Sequence, residues 1–200
     1  MCEYIIVYTW SILLKYNLNI GISNPNHPHD PVLECSVADM RNLYETNVIG
    51  SLLTFQALTE HAGNSKGKLF VVLSSTLASI AKSTPLGGYT SYRASKAALN
   101  MVAQTYVSDP LVAARGIKVI LMHPGWVQTD MGGAGGRTAA VSVDESTAGI
   151  VDIVSRGLAL QTDPGSCTTS ASDEEESEFE RAFRDSACVF TSYKGEMIPW

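Results

Sequence analysis

The sequence has no CxxC pair, no apolar run long enough for a bilayer and no excess of positive charge, and each gap removes a class of function. Its four cysteines, at positions 2, 35, 167 and 188, are spaced for neither a metal cage nor a disulfide framework. They read as reduced thiols of a cytoplasmic chain. The prominent apolar run, residues 4–14 (YIIVYTWSILL), is eleven residues long, short of the ~20 that a spanning helix needs. Glu3 stands where a secretory leader would carry positive charge, and no small-x-small cleavage site follows. The run therefore reads as a buried strand with a distorted lead-in rather than a leader or a membrane anchor. Fourteen basic side chains oppose twenty acidic ones, giving −6, and residues 173–185 alone hold seven acidic and two basic groups. A nearly neutral remainder offers no basic stripe to a phosphate backbone, which argues against nucleic acid as a partner.

What is present is a chain of 200 residues, 45% of them apolar, enough for one domain with a buried core. From residue 39 onward helical stripes alternate with short apolar runs, the pattern of a parallel α/β sheet. The stripe over 39–61, through Met40, Leu43, Tyr44, Val48, Phe55 and Leu58, predicts a helix buried on much of its circumference. LFVVL at 69–73 and IKVILM at 117–122 read as strands covered on both faces. Between them a helix spans about 89–108 and ends near Asp109 and Pro110, where proline removes a donor. Ser142 and Glu145 are spaced as a capping box ahead of an amphipathic helix over 148–158, and residues 188–192 form the last strand. Residues 162–187, rich in Ser, Thr and acidic groups, read as a disordered, solvated insertion in which EEESEFERAF adds a helical turn or two. An acidic docking face for a basic partner is the other reading of that stretch.

Tyr92 and Lys96 in YRASK stand four apart, which on a helix sets their Cβ atoms ~5–6 Å apart on one face. Eight tyrosines and seven lysines supply roughly 0.3 such pairs per chain by chance, so context decides. Ser74 and Ser75 close the strand at 69–73, where open α/β sheets bind ligands. The next strand runs into HPGWVQTDM, in which Pro124 and Gly125 turn the chain and Thr129 presents another hydroxyl. Two strand ends and one helix face converge. Other readings are weaker. GGAGG at 132–136 lacks GxGxxG spacing and reads as a flexible substrate-side loop; HPHD at 27–30 reads as an exposed turn rather than a metal site. A hydrolase built on Ser75, His123 and Asp130 would need a nucleophile elbow that LSSTL is not.

In this order the segments TNVIGSLLTFQAL, VVLSS, YRASKAALNM and HPGWVQTDM resemble the short-chain dehydrogenase/reductase family. The closing GEMIPW points to its carbonyl-reductase branch, which includes the C-factor and Sniffer-like proteins. The resemblance covers residues 13–160 and 188–200. It implies a partial Rossmann-type, doubly wound parallel sheet, and a tetrad of Asn47, Ser75, Tyr92 and Lys96 that reduces a small aldehyde, ketone or quinone. Tyr92 would protonate the developing alkoxide, its acidity sharpened by the Lys96 ammonium. Ser75 would orient the carbonyl, and Asn47 would fix a water linking Lys96 to solvent. The resemblance also implies NADP or NAD as cofactor, NADPH being the analogous choice. Asn19, Gly21, Tyr92, Lys96, Pro124, Gly125, Val127 and Thr129 would line its site, Val127 and Thr129 meeting the carboxamide. Homo-oligomerisation through the helices at 39–61 and 89–108 follows from the same analogy.

The family's GxxxGxG turn and first βαβ units have no counterpart, and its NAG segment appears only as Asn19, Ile20 and Gly21. Without a first strand the sheet would keep an apolar edge, unless residues 4–14 fold back over it or the chain dimerises. Two functional readings follow: an NAD(P)H-dependent carbonyl reductase, or a shortened relative without turnover that acts as an interaction module.

Overall fold

The computed structural model describes residues 6–8, 15–18, 21–24, 29–61, 68–82, 87–162 and 176–200. The first half of the acidic insertion lies outside these residues, as does Asn19. A five-stranded sheet runs in the order β1 (Ile6–Tyr8), β2 (Lys15–Leu18), β3 (Leu69–Leu73), β4 (Lys118–His123), β5 (Cys188–Ser192). Strands β2 to β5 are mutually parallel, in the register Lys15↔Leu69, Leu69↔Lys118 and Val119↔Cys188. β1 pairs antiparallel with β2 through Ile6↔Asn17 and Tyr8↔Lys15. Of residues 4–14, the proposed fold-back, the described segment Ile6–Tyr8 pairs along the edge of β2.

The period of two along the strands sorts side chains between two cores. Phe70, Val72, Val119, Leu121 and Phe190 face one layer of helices, α1 (Val37–Tyr44), α2 (Gly50–His61), α3 (Thr90–Ser108) and α4 (Pro110–Ala114), packing with Phe55, Leu99 and Ala103. Leu69, Val71, Ile120, Met122 and Val189 face the other layer, α5 (Val143–Thr162) and α6 (Glu178–Asp185), packing with Ile153, Leu158, Phe179 and Phe183. Both faces are covered, as a parallel sheet requires.

Three expectations change. The helix predicted over 39–61 is interrupted by a π-helical turn at Glu45–Ile49, and Tyr44, placed on the buried stripe, stays exposed. Pro110 ends α3 and also starts α4: it occupies the first turn, where no N–H is needed, while Asp109 Oδ1 accepts from Leu111 N–H at 2.8 Å. The largest change concerns the acidic insertion: the helical turns expected of EEESEFERAF are present as a capped helix, but packed into the core rather than solvated. Ser177 and Glu180 form a reciprocal capping box, Phe179 and Phe183 are each 1% exposed, and Arg156 of α5 donates to Ser177 Oγ at 2.6 Å and Glu180 Oε1 at 3.1 Å. Charge hid two aromatics spaced i, i+4 on one face.

Candidate active site

The carboxyl ends of β3 and β4 and the first turns of α3 enclose a cavity of about 690 Å³. Ser75 leaves β3 in extended conformation and its Oγ accepts from Leu77 N–H at 3.2 Å, starting a 3₁₀ turn at Thr76–Ala78. Ser74 donates to Asn100 Oδ1 at 2.6 Å, tying the strand end to α3. One helical turn places Lys96 Nζ 5.9 Å from the centre of the Tyr92 ring, and Nζ donates to Leu73 O at 2.9 Å. The Ser75 hydroxyl faces the Tyr92 phenol closely enough to work against the rise in its pKa.

Ser75, Tyr92 and Lys96 all line this cavity, as do Gly21, Pro124, Gly125, Val127 and Thr129. Asn47 does not. It is fully buried behind the wall, where Oδ1 accepts from Ile22 N–H at 2.8 Å and Nδ2 donates to Ile22 O at 3.0 Å and Ser95 Oγ at 2.9 Å. Both amide donors are therefore engaged by protein, and Asn47 clamps the segment that carries Gly21. A Cβ on Gly21 would fall 2.8 Å from Lys96 Nζ, so a side chain there would make the ammonium shift.

Burial sets the acidities. It pushes the Tyr92 phenol up to about 12, with the Ser75 hydrogen bond pulling the other way, and pulls the Lys96 ammonium down to about 8. The expected sharpening of Tyr92 by Lys96 is therefore not seen: desolvation of the phenolate outweighs the ammonium, which is itself held by Leu73 O. His123, in the same wall, is pulled down to about 4, chiefly by burial and then by Lys82. Its Nδ1 is buried without a hydrogen-bond partner among the described residues.

Several residues that hold the site carried no recognisable signal. Tyr89, the residue before α3, is left-handed (φ 55°) and supplies no side-chain cap. Asp30 caps the helix instead: Oδ2 accepts from Ser91 N–H at 3.1 Å and from Ser91 Oγ, while Asp30 O accepts from Thr90 N–H at 3.1 Å. His29 is an exposed turn residue, as HPHD suggested, and residues 27–28 lie outside the described ones; Asp30, at 3% exposure, departs from that reading. Burial works to raise its carboxyl pKa, but the bonds from Ser91 prevail and the net shift is downward. The glycine-rich segment is likewise pinned rather than loose, since Trp126 Nε1 donates to Gly132 O at 2.8 Å and Thr129 Oγ1 accepts from Gly132 N–H at 3.2 Å. A Cβ on Gly132 would lie 1.9 Å from Val127 O.

Among the described residues no helix is long and apolar enough to cross a membrane, and the two described cysteines, Cys35 and Cys188, are free thiols.

A family model described as short chain dehydrogenase matches residues 17–139. C-signal of Myxococcus xanthus is 33% identical over 117 residues, 58% of this chain and 67% of that protein. The NADPH-bound carbonyl reductase from chicken fatty liver superposes with a TM-score of 0.65 at 28% identity, over 92% of this chain and 64% of the other. Carbonyl reductase Sniffer of D. melanogaster superposes with a TM-score of 0.66 at 25% identity, over 93% and 66%. The chain spans between 38% and 67% of the length of the curated relatives it matches. With well over half of its residues matched by the family model and its sheet superposing on reductases of that family, the chain belongs to the short-chain dehydrogenases.

Proposed function

We propose that this chain forms the substrate and nicotinamide end of an NAD(P)H-dependent reductase that converts an aldehyde, ketone or quinone to the alcohol. The observation that carries the reading is the meeting of Ser75, Tyr92 and Lys96 in one cavity whose opposite wall is Pro124–Thr129. The reading draws further support from the carbonyl reductases among the similar structures.

The residues present fit the nicotinamide end of the cofactor: every proposed contact among the described residues lines the cavity, and Gly21 approaches Lys96 closely enough that a Cβ there would displace Nζ. Gly21, Lys96, Val127 and Thr129 would hold the nicotinamide and its ribose. When bound, the reduced cofactor supplies the hydride that reaches the carbonyl carbon. Ser75 and Tyr92 would hydrogen-bond the carbonyl oxygen and hold it in place. Tyr92, fully protonated at neutral pH with its phenol near 12, would give its proton to that oxygen as negative charge develops there. Lys96, one turn on and protonated below about 8, would stabilise the phenolate left behind and return the proton. Asn47 would act through position, holding Ile22 and so Gly21 against Lys96. Dimerisation through α2 and α3 is part of the same reading, supported by the exposure of Leu53 and Met101 on those helices.

The test is NADPH-dependent reduction of aldehydes, ketones and quinones by the purified chain and its Tyr92→Phe variant. Loss of roughly 10²–10⁴-fold in kcat, the usual share of a general acid, is expected. Turnover undiminished in Tyr92→Phe, or no cofactor binding at millimolar NADPH, would overturn it.

A further inference from the structure

The wall of the cavity carries two cations, Lys96 and Arg137, and not one carboxylate, although the chain as a whole is at −6. Lys96 belongs to the proton-transfer group above; Arg137 has no part in it. Its guanidinium packs over the Trp126 ring at 5.6 Å and over the Tyr89 ring at 5.4 Å. Nε donates to Ala134 O at 3.0 Å and Nη1 donates to the Tyr89 hydroxyl. No ion pair to Arg137 occurs among the described residues, and Nη2 makes no hydrogen bond there. A guanidinium fixed by two bonds and two rings, with an edge of its fork uncommitted, is preorganised for a planar anion. Met131, Val143 and Ile150 give the same lining apolar surface.

We propose that Arg137 is a specificity-determining residue that receives the carboxylate of an oxo acid. The carbonyl of that substrate lies at Ser75 and Tyr92, and its aryl or alkyl body lies along Trp126. This rests on the reductase reading and names the substrate class within it. A neutral carbonyl compound would forgo the charge-assisted bond, while an acid would lose water and gain the fork in one step.

A matched pair tests it: 4-formylbenzoate and its methyl ester, compared by kcat/KM in the wild-type chain, Arg137→Met and Arg137→Lys. The acid is favoured by roughly tenfold or more in the wild type, about the worth of one charge-assisted bond. That ratio falls close to one in Arg137→Met and takes an intermediate value in Arg137→Lys, which keeps the charge without the planar fork. Calorimetric titration of 4-formylbenzoate into the same three proteins reads the interaction without turnover, and the affinity falls in the same order. An acid-to-ester ratio or acid affinity that does not depend on Arg137 overturns the proposal. So does loss of NADP⁺ affinity in Arg137→Met with the ratio unchanged, because the anion would then be the cofactor's phosphate. If neither compound is reduced yet acid binding still depends on Arg137, the reductase reading fails while the anion site stands.

Discussion

At the scale of single residues, burial sets the shifts of Tyr92, Lys96 and His123, and this gives the site a pH signature. With Lys96 near 8 and Tyr92 near 12, carbonyl reduction holds steady below pH 8 and declines above it as the ammonium is lost. A kcat/KM profile checks this, and Lys96→Arg, which stays charged, removes the limb near 8. His123 makes a separate prediction about stability. Its folded pKa of about 4 lies below the ~6.5 of an exposed imidazole. The unfolded chain therefore gains a proton first as pH falls. Stability drops between about pH 6.5 and 4 by on the order of 2–3 kcal/mol, and His123→Gln flattens that slope in urea titrations. The residue types that meet at the site were readable in YRASK, VVLSS and HPGWVQTDM, because i, i+4 spacing and strand ends are local properties. The acidities were not, since they depend on what lies above each group in the folded chain. Arg137 was equally silent: a lone arginine after a glycine run says nothing until Tyr89 and Trp126 close on it.

At the scale of elements, strands and helices whose period is unambiguous were legible, as LFVVL and the stripe from Tyr92 to Tyr106 show. Where the sequence was misread, composition outweighed pattern. Seven acidic residues in 173–185 suggested solvation, whereas Phe179 and Phe183 sit on one face and fill the core beneath α5. Phe179→Ala and Phe183→Ala should each destabilise the fold by about 3–5 kcal/mol, measured by denaturant unfolding. A disordered tail would lose nothing. The π-helical turn at Glu45–Ile49 was invisible for a different reason, because its residues continue a helical stripe. Such turns recur at functional sites, and here one carries Asn47. The cap of α3 was hidden by distance along the chain, Asp30 lying sixty-one positions before Ser91. Asp30→Ala should cost about 1–2 kcal/mol, the worth of a helix cap, and loosen the first turn that presents Tyr92. Because the Asp30 carboxyl is held below its ordinary value, its contribution is complete above about pH 4 and is lost as pH falls through that lowered value.

At the scale of the whole molecule, four parallel strands are bounded on the β2 side by a short antiparallel one. The sequence raised the uncovered edge as a problem and residues 4–14 as one remedy; it did not show that Ile6–Tyr8 would pair antiparallel. Removing residues 1–10 should leave β2 unpaired and drive association into larger species, visible by light scattering at micromolar protein. A deletion variant with an unchanged mass distribution would assign the protection to something other than β1.

That bounding strand also sets an order of events in folding. Tyr8 finds Lys15 seven positions away along the chain, whereas Lys15 must wait for Leu69, fifty-four positions on, to arrive beside it. Short closures cost little chain entropy and form early. The margin of the sheet is therefore sealed before the long crossovers return, and the newly made chain has little time in which to offer that margin to a neighbour.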